Sequence, residues 1–199
     1  MTFFRGAVMR WLKQQLRHRL RERRRQLSPF MQHHYAEQIA KQLFQQAFYK
    51  NAKHIALYLA FEGEVSTLPI LKTALLHHKC CYIPVLVKSS LQFVKIDLQT
   101  KMTKNRLGIL EPASEKLVTI SPQALDIVLM PLVAFDKDGH RLGMGGGYYD
   151  KTFAFRKRTI KPRLVGLAYE FQRIFCVPHG ELDLSLNEVI TEKQVYSAD

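Results

Sequence analysis

The sequence lacks several features that mark common classes of protein. It has three cysteines in 199 residues, of which Cys80 and Cys81 are adjacent and Cys176 is distant. This spacing fits neither a disulfide framework nor a zinc motif, so a reducing compartment is expected. The longest apolar run, Ile127 to Phe135, has nine residues and is too short to cross a bilayer. We therefore expect a soluble, cytoplasmic protein without a membrane partner.

Other absences concern the organisation of the chain. It has no linker, internal repeat or low-complexity tract, and its eight histidines show no metal-ligand spacing. No serine precedes Ser28, so a serine-rich transit peptide is not expected. The length and a hydrophobic fraction of 47% predict a single domain, residues 1–199, with a substantial core.

Acidic residues are scarce, with 17 against 30 lysines and arginines, and the positive charge is unevenly placed. From Arg5 to Arg25 there are nine cations and only one acid, Glu22. An apolar residue recurs at every fourth position, which predicts an amphipathic, arginine-rich helix over about residues 8–25. These apolar positions are Val8, Leu12, Leu16 and Leu20.

The residues of this basic helix leave three interpretations open. Its cations can form a solvated face. They can also form a patch for nucleic acid or a membrane surface, since a basic stripe attracts any polyanion. The third interpretation is a binding site for a ligand that carries several phosphates or carboxylates.

Glycine is scarce overall, yet four of the ten glycines stand between Arg141 and Asp150, in the order Arg-Leu-Gly-Met-Gly-Gly-Gly-Tyr-Tyr-Asp. Glycine loses more conformational freedom on folding than any other residue, so such a run suggests that a ligand approaches the backbone here. A plain bend between strands is the alternative. No Lys-Ser or Lys-Thr follows the glycines and the dinucleotide fingerprint is absent, which excludes two common nucleotide motifs.

The flanking residues predict the kind of ligand. Asp126 to Met130 is typical of a buried strand, and Tyr148 to Arg158 of a helix. A glycine turn before a helix presents unpaired N–H groups and the positive end of the helix dipole to a phosphate. Arg141 suits a phosphate contact, and Asp150 suits a divalent cation carried by a nucleotide.

Strands alternate with helices along the rest of the chain, which predicts an α/β fold. We expect one three-layer α/β/α domain with a mostly parallel, mixed sheet of the Rossmann-like kind, and ligands outside the carboxyl ends of its strands. The further predicted helices run from Pro29 to about Phe48 and from Ser66 or Thr67 to about His78. The further predicted strands are His54 to Ala60, Cys80 to Leu86, Leu91 to Ile96, Arg163 to Tyr169 and the segment Asn187 to Ile190.

The order of the residues in the glycine segment is more specific than its composition. It resembles the signature of the 5-formyltetrahydrofolate cyclo-ligases, also called 5,10-methenyltetrahydrofolate synthetases, through Phe135-Asp136, Gly139, Arg141 to Gly143, Gly145 and Gly147 to Asp150. The resemblance extends to Leu27-Ser28, Leu59 to Glu64, Thr67, Arg106 to Pro112, Pro178, Asp183 and Ile190 to Glu192.

The resemblance implies roles for specific residues. Catalytic roles fall to Arg141 and Tyr148, and Mg²⁺ is held by Asp150 and Asp183. ATP is bound by Lys13, Arg17, Arg141, Leu142, Gly143, Met144, Gly145, Gly146, Gly147, Tyr148 and Tyr149. The folate is bound by Leu59, Glu64, Met144, Gly145, Gly146, Gly147 and Tyr148, with the Glu64 carboxylate against the pterin.

The implied reaction is the ATP- and Mg²⁺-dependent closure of 5-formyltetrahydrofolate to 5,10-methenyltetrahydrofolate, through an imidate phosphate, with release of ADP and phosphate. A monomer with small-molecule partners is expected; the folate can carry a polyglutamate tail, and nucleic acid is not an expected partner. The alternatives are a basic RNA-binding module and a kinase-like enzyme with another substrate. The sequence departs from the family pattern at Leu107, Met144 and Asn187.

Overall fold

A computed structural model describes residues 2–104, 110–113 and 117–198. The helices are α1 (Thr2–Arg25), α2 (Pro29–Gln45), α3 (Ala47–Asn51), α4 (Leu68–Leu76) and α5 (Tyr148–Thr152). The strands are β1 (His54–Ala56), β2 (Cys80–Val87), β3 (Ser90–Ile96), β4 (Met102–Lys104), β5 (Leu110–Pro112), β6 (Thr119–Ile120), β7 (Ile127–Pro131), β8 (Ala134–Phe135), β9 (Arg141–Leu142), β10 (Arg163–Leu167), β11 (Glu188–Ile190) and β12 (Val195–Ser197). Short 3₁₀ turns lie at Pro122–Ala124, Ala154–Lys157 and Glu170–Gln172.

Eight strands form the central sheet in the order β12-β11-β10-β7-β1-β2-β3-β6. The five inner strands from β11 to β2 run parallel, and β12, β3 and β6 are antiparallel to their neighbours. The predicted α/β fold with a mostly parallel, mixed sheet is confirmed. None of the described helices has the length and apolar character that a membrane crossing requires.

Both faces of the sheet are covered, which explains why its inner strands read as continuous apolar runs. Along β7, Ile127 and Leu129 join a core cluster that contains the buried side chains of α2, α3 and α4. Val128 and Met130 point the other way and join a cluster that contains Phe153, just after α5. These are the two outer layers of the predicted three-layer arrangement.

Two predicted helices extend too far. The helix from Pro29 ends at Gln45 because Gln46 has extended backbone angles, and the Gln46 side chain caps the carbonyl of Gln42 at 3.0 Å. The chain then turns into α3, which buries Tyr49 in the core. The helix predicted from Tyr148 to Arg158 ends at Thr152 and continues only as a 3₁₀ turn.

The strand predicted over His54 to Ala60 pairs regularly only to Ala56. Beyond it the Tyr58 carbonyl accepts a 2.6 Å hydrogen bond from the Thr67 hydroxyl, which draws the chain toward α4. Thr67 is the N-cap of α4, but this bond uses its hydroxyl. Several short strands were not predicted, because strands of two or three residues carry no measurable periodicity. They are β12, the strand β6 beside β3, and the hairpins β4-β5 and β8-β9.

The topology brings two connecting segments to one edge of the sheet. β1 and β7 are parallel neighbours, so their carboxyl ends lie side by side. The chain after β1 leads to Glu64, and the chain after β7 leads through β8 and β9 to the glycines at Gly143 to Gly147. The candidate site residues therefore lie where the doubly covered parallel sheet predicts them.

Candidate active site

The glycine loop, Gly143 to Gly147, joins β9 to α5. Gly145 has φ +106° and Gly147 has φ +65°, which are conformations that other residues rarely adopt. Gly147 is also the N-cap of α5, so its left-handed conformation sets where that helix begins. A β-carbon at Gly145 would lie 3.4 Å from the Arg17 guanidinium, so α1 covers the loop closely.

Helix α1 brings two cations to this loop. Arg17 Nε donates to the Gly143 carbonyl at 2.8 Å, and Lys13 Nζ lies 3.1 Å from Asp183 Oδ2. The two cations are four residues apart and so share one face of the helix. Their helix is fixed by buried Leu20, which belongs to an apolar cluster with Val133, Ala134, Leu142 and Val177.

The charges in this region are set by burial and by pairing. Burial lowers the pKa of Arg17, and the nearby Asp183 opposes that shift, so the guanidinium stays protonated at neutral pH. Burial raises the pKa of Asp183, but hydrogen bonds from the Gly180 N–H and Lys13 and the charge of Arg141 outweigh it. The pKa of Asp183 therefore lies below its ordinary value, and the carboxylate is ionised at neutral pH.

Arg141 is more buried than the sequence suggested, with a side chain only 5% exposed. Its Nη2 donates to Asp150 Oδ1 at 2.8 Å, and its Nη1 donates to the Leu184 carbonyl. The Leu184 N–H also donates to Asp150 Oδ1, at 3.1 Å. Arg141 thus ties the start of the loop to the segment that carries Asp183.

A turn held by Asp136 fixes Arg141 from the other side. Its carboxylate accepts hydrogen bonds from the N–H groups of Asp138, His140 and Val177 and lies 3.2 Å from His140 Nδ1. Ligand atoms of Asp136, Asp138 and His140 come within 4.8 Å of one another, but the Asp136 oxygens are already engaged by these donors. The arrangement is a structural turn between β8 and β9.

A cavity of about 280 Å³ lies between α1, the glycine loop and the segment that carries Asp183. It holds every residue assigned above to ATP and Mg²⁺, together with Pro131: Lys13, Arg17, Arg141, Leu142, Gly143, Met144, Gly145, Gly146, Gly147, Tyr148, Tyr149, Asp150 and Asp183. The structure therefore brings the two ends of the chain together at the glycine loop. The binding roles of these residues stay a prediction.

Two carboxylates of the cavity are suited to a divalent cation. Asp150 uses Oδ1, and Asp183 uses Oδ2, for the hydrogen bonds given above. The other oxygen of each accepts no hydrogen bond within the part of the chain that the structure describes. Mg²⁺ is commonly held by one or two carboxylates together with substrate phosphates, so this donor set fits it.

Leu59 and Glu64 do not line that cavity. Leu59 is 36% exposed, and the Glu64 side chain is 9% exposed beside Arg24. Tyr149 connects the two regions: burial raises the pKa of its hydroxyl, the charge of Glu64 raises it further, and Arg141 opposes the shift. The Tyr149 hydroxyl is therefore within electrostatic reach of both the Glu64 region and the glycine loop.

The arginines at the end of α1 have contacts that were not predicted from the sequence. Arg21 and Arg25 bind the carboxylate of Glu62, and buried Arg24 binds its carbonyl. The sequence did contain a signal for these contacts. Cations recur at a spacing of three or four residues from Lys13 onward, so they share one face of the helix.

The departures from the family pattern fall in different places. Met144 is exposed at the cavity. The Asn187 side-chain oxygen accepts from the Leu164 N–H at 2.8 Å, at the amino end of β10 and away from the cavity. Arg106 and Leu107 lie outside the described residues.

Residues 10–192 match the model of the 5-formyltetrahydrofolate cyclo-ligase family. A 5-formyltetrahydrofolate cyclo-ligase of Haemophilus influenzae is 36% identical over 182 residues, which cover 89% of this chain and 96% of that protein. The one of Escherichia coli is 35% identical over 180 residues, 89% of this chain and 98% of that protein. The NMR structure of Aquifex aeolicus 5,10-methenyltetrahydrofolate synthetase has a TM-score of 0.81 at 30% identity and covers 94% of this chain and 93% of that chain. The chain belongs to the 5-formyltetrahydrofolate cyclo-ligase family, as its glycine segment indicated.

Proposed function

We propose that this protein converts 5-formyltetrahydrofolate to 5,10-methenyltetrahydrofolate while ATP is converted to ADP and phosphate, the phosphate leaving with the formyl oxygen. The observation that carries the proposal is the cavity in which Lys13 and Arg17 of α1 meet the glycine loop and the carboxylates of Asp150 and Asp183. Membership of the cyclo-ligase family supports the same reaction.

The chemistry needs a nucleotide because an amide oxygen is a poor leaving group. In the proposed sequence the formyl oxygen attacks the γ-phosphorus, ADP leaves, and an imidate phosphate forms. N10 of the same folate then attacks the formyl carbon, the C–O bond breaks with loss of phosphate, and the N10 proton leaves to solvent. Such a transfer requires of the protein mainly positioning and neutralisation of charge.

The phosphates bind between α1 and the glycine loop. Lys13 and Arg17 supply the cations, and the backbone N–H groups near Gly145 to Gly147 supply uncharged donors. The Lys13 contact with Asp183 and the Arg17 contact with Gly143 keep both cations at the loop before the nucleotide arrives. This preorganisation reduces the entropy cost of binding.

Arg141 and Tyr148 stand closest to the proposed chemistry. Arg141 sets the position of Asp150 through the 2.8 Å pair, and its positive charge faces the cavity that receives the phosphates. Exposed Tyr148, with Met144, forms the boundary between nucleotide and formyl group. A thioether packs well but accepts hydrogen bonds weakly, so Met144 contributes contact area.

Asp150 and Asp183 would hold Mg²⁺ through the carboxylate oxygens that their protein hydrogen bonds leave free. When bound, the ion neutralises charge on the phosphates and on the leaving ADP. The surroundings of Asp183 favour its negative charge, because its pKa lies below the ordinary value, and Asp150 lies 2.8 Å from the buried Arg141 guanidinium.

The folate binds beside Tyr149, toward Leu59 and Glu64. The 2-amino-4-oxo pterin presents two parallel donors, and a carboxylate accepts both. The Glu64 side chain is almost fully buried, so a bond formed there is shielded from water and discriminates strongly against analogues that lack the donors.

A nucleic-acid role finds little support in the basic helix. Most of its cations already contact groups of this chain: carboxylates, carbonyls and, for Arg23, the Phe171 ring at 4.6 Å. The engaged cations are Lys13, Arg17, Arg21, Arg23, Arg24 and Arg25. Among the helix cations whose side chains the structure describes, only Arg10 and Arg19 remain to form a footprint on phosphates outside the cavity.

The pure protein should be mixed with ATP, Mg²⁺ and 5-formyltetrahydrofolate while the absorbance of methenyltetrahydrofolate is followed. We expect absorbance to rise in step with ADP release, one ADP per folate, and no change when ATP or Mg²⁺ is withheld. ADP release without methenyl product would favour a kinase-like enzyme with another substrate. Tight, salt-sensitive RNA binding without turnover would favour the nucleic-acid interpretation.

A further inference from the structure

The turn between β1 and α4 has a strained backbone. Glu62 has φ +48° and Gly63 has φ +74°, and the Glu64 N–H donates to the Phe61 carbonyl at 3.1 Å. A residue with a β-carbon is uncommon in the left-handed region, which costs it some free energy. Contacts that hold Glu62 in this conformation also hold the turn that carries Glu64.

Three arginines from the last turns of α1 hold Glu62. Arg21 Nε donates to one carboxylate oxygen at 3.1 Å, and Arg25 Nη2 donates to the other at 2.7 Å. Arg24 Nε donates to the Glu62 carbonyl at 2.9 Å. We call these three residues, Arg21, Arg24 and Arg25, the arginine clamp.

Arg24 differs from the other two members because it is buried, with a side chain 1% exposed. Its Nη1 lies 3.7 Å from Glu64 Oε1, which is an ion pair too long for a strong hydrogen bond. Its Nη2 is buried and has no hydrogen-bond partner among the described residues, and neither has the buried hydroxyl of Tyr169. A buried guanidinium without an opposite charge is costly, and the carboxylate of Glu64 is the charge beside Arg24.

We infer that Arg24 is a positioning residue for the folate, acting through Glu64: it holds the turn that carries the carboxylate that meets the pterin and places the opposite charge beside that carboxylate. The inference rests on the proposed function and deepens it. Arg24 Nε binds the carbonyl of Glu62 in the turn, and Arg24 Nη1 faces the carboxylate of Glu64. One planar guanidinium therefore holds the backbone of the turn and also places a positive charge beside Glu64. Lysine carries its donors on one nitrogen instead of a planar fork, so it does not reproduce the geometry of both contacts.

The electrostatic surroundings of Glu64 define a pH signature. Burial raises the pKa of Glu64, and Arg24 is the main opposing charge, assisted by the Phe61 N–H and Arg21 and opposed by Glu62. The hydroxyls of Tyr58, Tyr149 and Tyr169 also face it. Loss of Arg24 removes the largest stabilisation of the charged form, so the pKa of Glu64 should rise further.

The test compares Arg24→Met and Arg24→Lys with Arg19→Gln, an exposed cation on the same helix, in the assay described above. We expect KM for 5-formyltetrahydrofolate to rise about tenfold or more in Arg24→Met and less in Arg24→Lys, with KM for ATP within about twofold of wild type. The acid limb of kcat/KM for folate should move to higher pH in Arg24→Met. Arg19→Gln should behave as wild type.

A second readout does not depend on turnover. The Glu64 carboxyl is titrated by ¹³C NMR in wild type and in Arg24→Gln, a second charge-neutral variant that serves if Arg24→Met fails to fold; a higher pKa in the variant supports the inference. Either of two results would overturn the inference. In the first, wild type is active while Arg24→Met and Arg24→Lys keep the folate KM and pH profile of wild type. In the second, the pKa of Glu64 is the same in wild type and in the charge-neutral variant. A wild-type protein that forms no methenyl product contradicts the proposed function instead, and the NMR titration still decides whether Arg24 controls Glu64.

Discussion

At the scale of single residues, the candidate site depends on charges that the protein holds in place before any ligand binds. Arg17 and Lys13 are tied to the Gly143 carbonyl and to Asp183, and Arg141 is tied to Asp150. Each pair keeps a cation near the loop without neutralising the whole cavity. This preorganised charge is what a transfer of a phosphoryl group needs most.

Asp150 gives the sharpest residue-scale prediction. Asp150→Asn keeps an oxygen that can accept from Arg141 and the Leu184 N–H, but it loses the charge that suits Mg²⁺. We expect kcat/KM to fall about a hundredfold or more while the fold is kept, measured by the absorbance assay and by circular dichroism at a temperature below unfolding. Asp138→Asn, at an exposed position, is the matched control and should keep wild-type activity. Near-normal turnover of Asp150→Asn would remove Asp150 from the site.

Gly145 gives a second prediction, which concerns stability. Alanine at φ +106° is strained, and its β-carbon would press on Arg17, so Gly145→Ala should lower the free energy of unfolding by about 1–2 kcal/mol. Gly143→Ala is the comparison, because its β-carbon would meet nothing within 4 Å and its φ is not positive. Urea denaturation measures both. Equal stability of the two variants would show that the bend at Gly145 is not constrained.

The members of the cavity could be predicted from the sequence better than their contacts. The glycine segment carries a local pattern, so its residues could be identified from their order alone. Arg141 binds Leu184, 43 residues away, and Arg24 binds Glu62, 38 residues away. No local pattern reports such pairings, which explains why Arg141 was expected to be free for phosphate and why Arg24 was left unassigned.

At the scale of elements, α1 connects the two regions of the site. Its middle turns reach the glycine loop through Lys13 and Arg17, and its last turns hold Glu62 through the arginine clamp. The four-residue apolar repeat predicted this helix, although it begins at Thr2 rather than near residue 8. The repeat buries only Leu20 fully, so ionic contacts fix much of the helix.

The pairing of Glu62 predicts a stability that depends on pH. Hydrogen bonds from Arg21 lower the pKa of Glu62, burial opposes them, and Arg25 adds to the lowering. The stabilisation is therefore fully present above the ordinary glutamate pKa and is lost as pH falls through the lower, folded-state value. Glu62→Gln should lower the free energy of unfolding at pH 7 by ~0.5–1 kcal/mol.

The difference between Glu62→Gln and wild type should vanish once the pH falls below the folded-state pKa, because the wild-type side chain is then neutral as well. Chemical denaturation across this pH range measures it, with Glu181→Gln, at an exposed position, as the control. A difference that persists unchanged into acid would mean that the arginine clamp does not act through the charge of Glu62.

Element types could be predicted better than element ends. The apolar runs of β2, β7 and β10 identify buried strands, and Ser28-Pro29 marks the start of α2, where Ser28 accepts from the Met31 N–H at 3.2 Å. The ends depend on tertiary contacts. Helix α2 ends at the extended residue Gln46, and α3 then places Tyr49 in the core. The Thr67 hydroxyl donates to the carbonyl of Tyr58, which ends the regular strand pairing early.

At the scale of the whole molecule, the parallel inner strands bring two distant segments to one edge of the sheet. The turn after β1 carries Glu64, and the chain after β7 carries the glycine loop. The charges of Glu64 and Arg141 both act on the pKa of the Tyr149 hydroxyl. One helix, α1, spans both segments from outside. Nucleotide and folate are therefore expected to bind as neighbours, held by a shared helix.

The most direct test of this claim is a crystal structure of the protein with Mg²⁺ and a non-hydrolysable ATP analogue. We expect the triphosphate between Arg17 and Gly145 to Gly147, with the ion at Asp150 and Asp183 and with the Lys13 ammonium turned to phosphate. A nucleotide bound elsewhere, or a glycine loop left empty at a saturating concentration of the analogue, would contradict it.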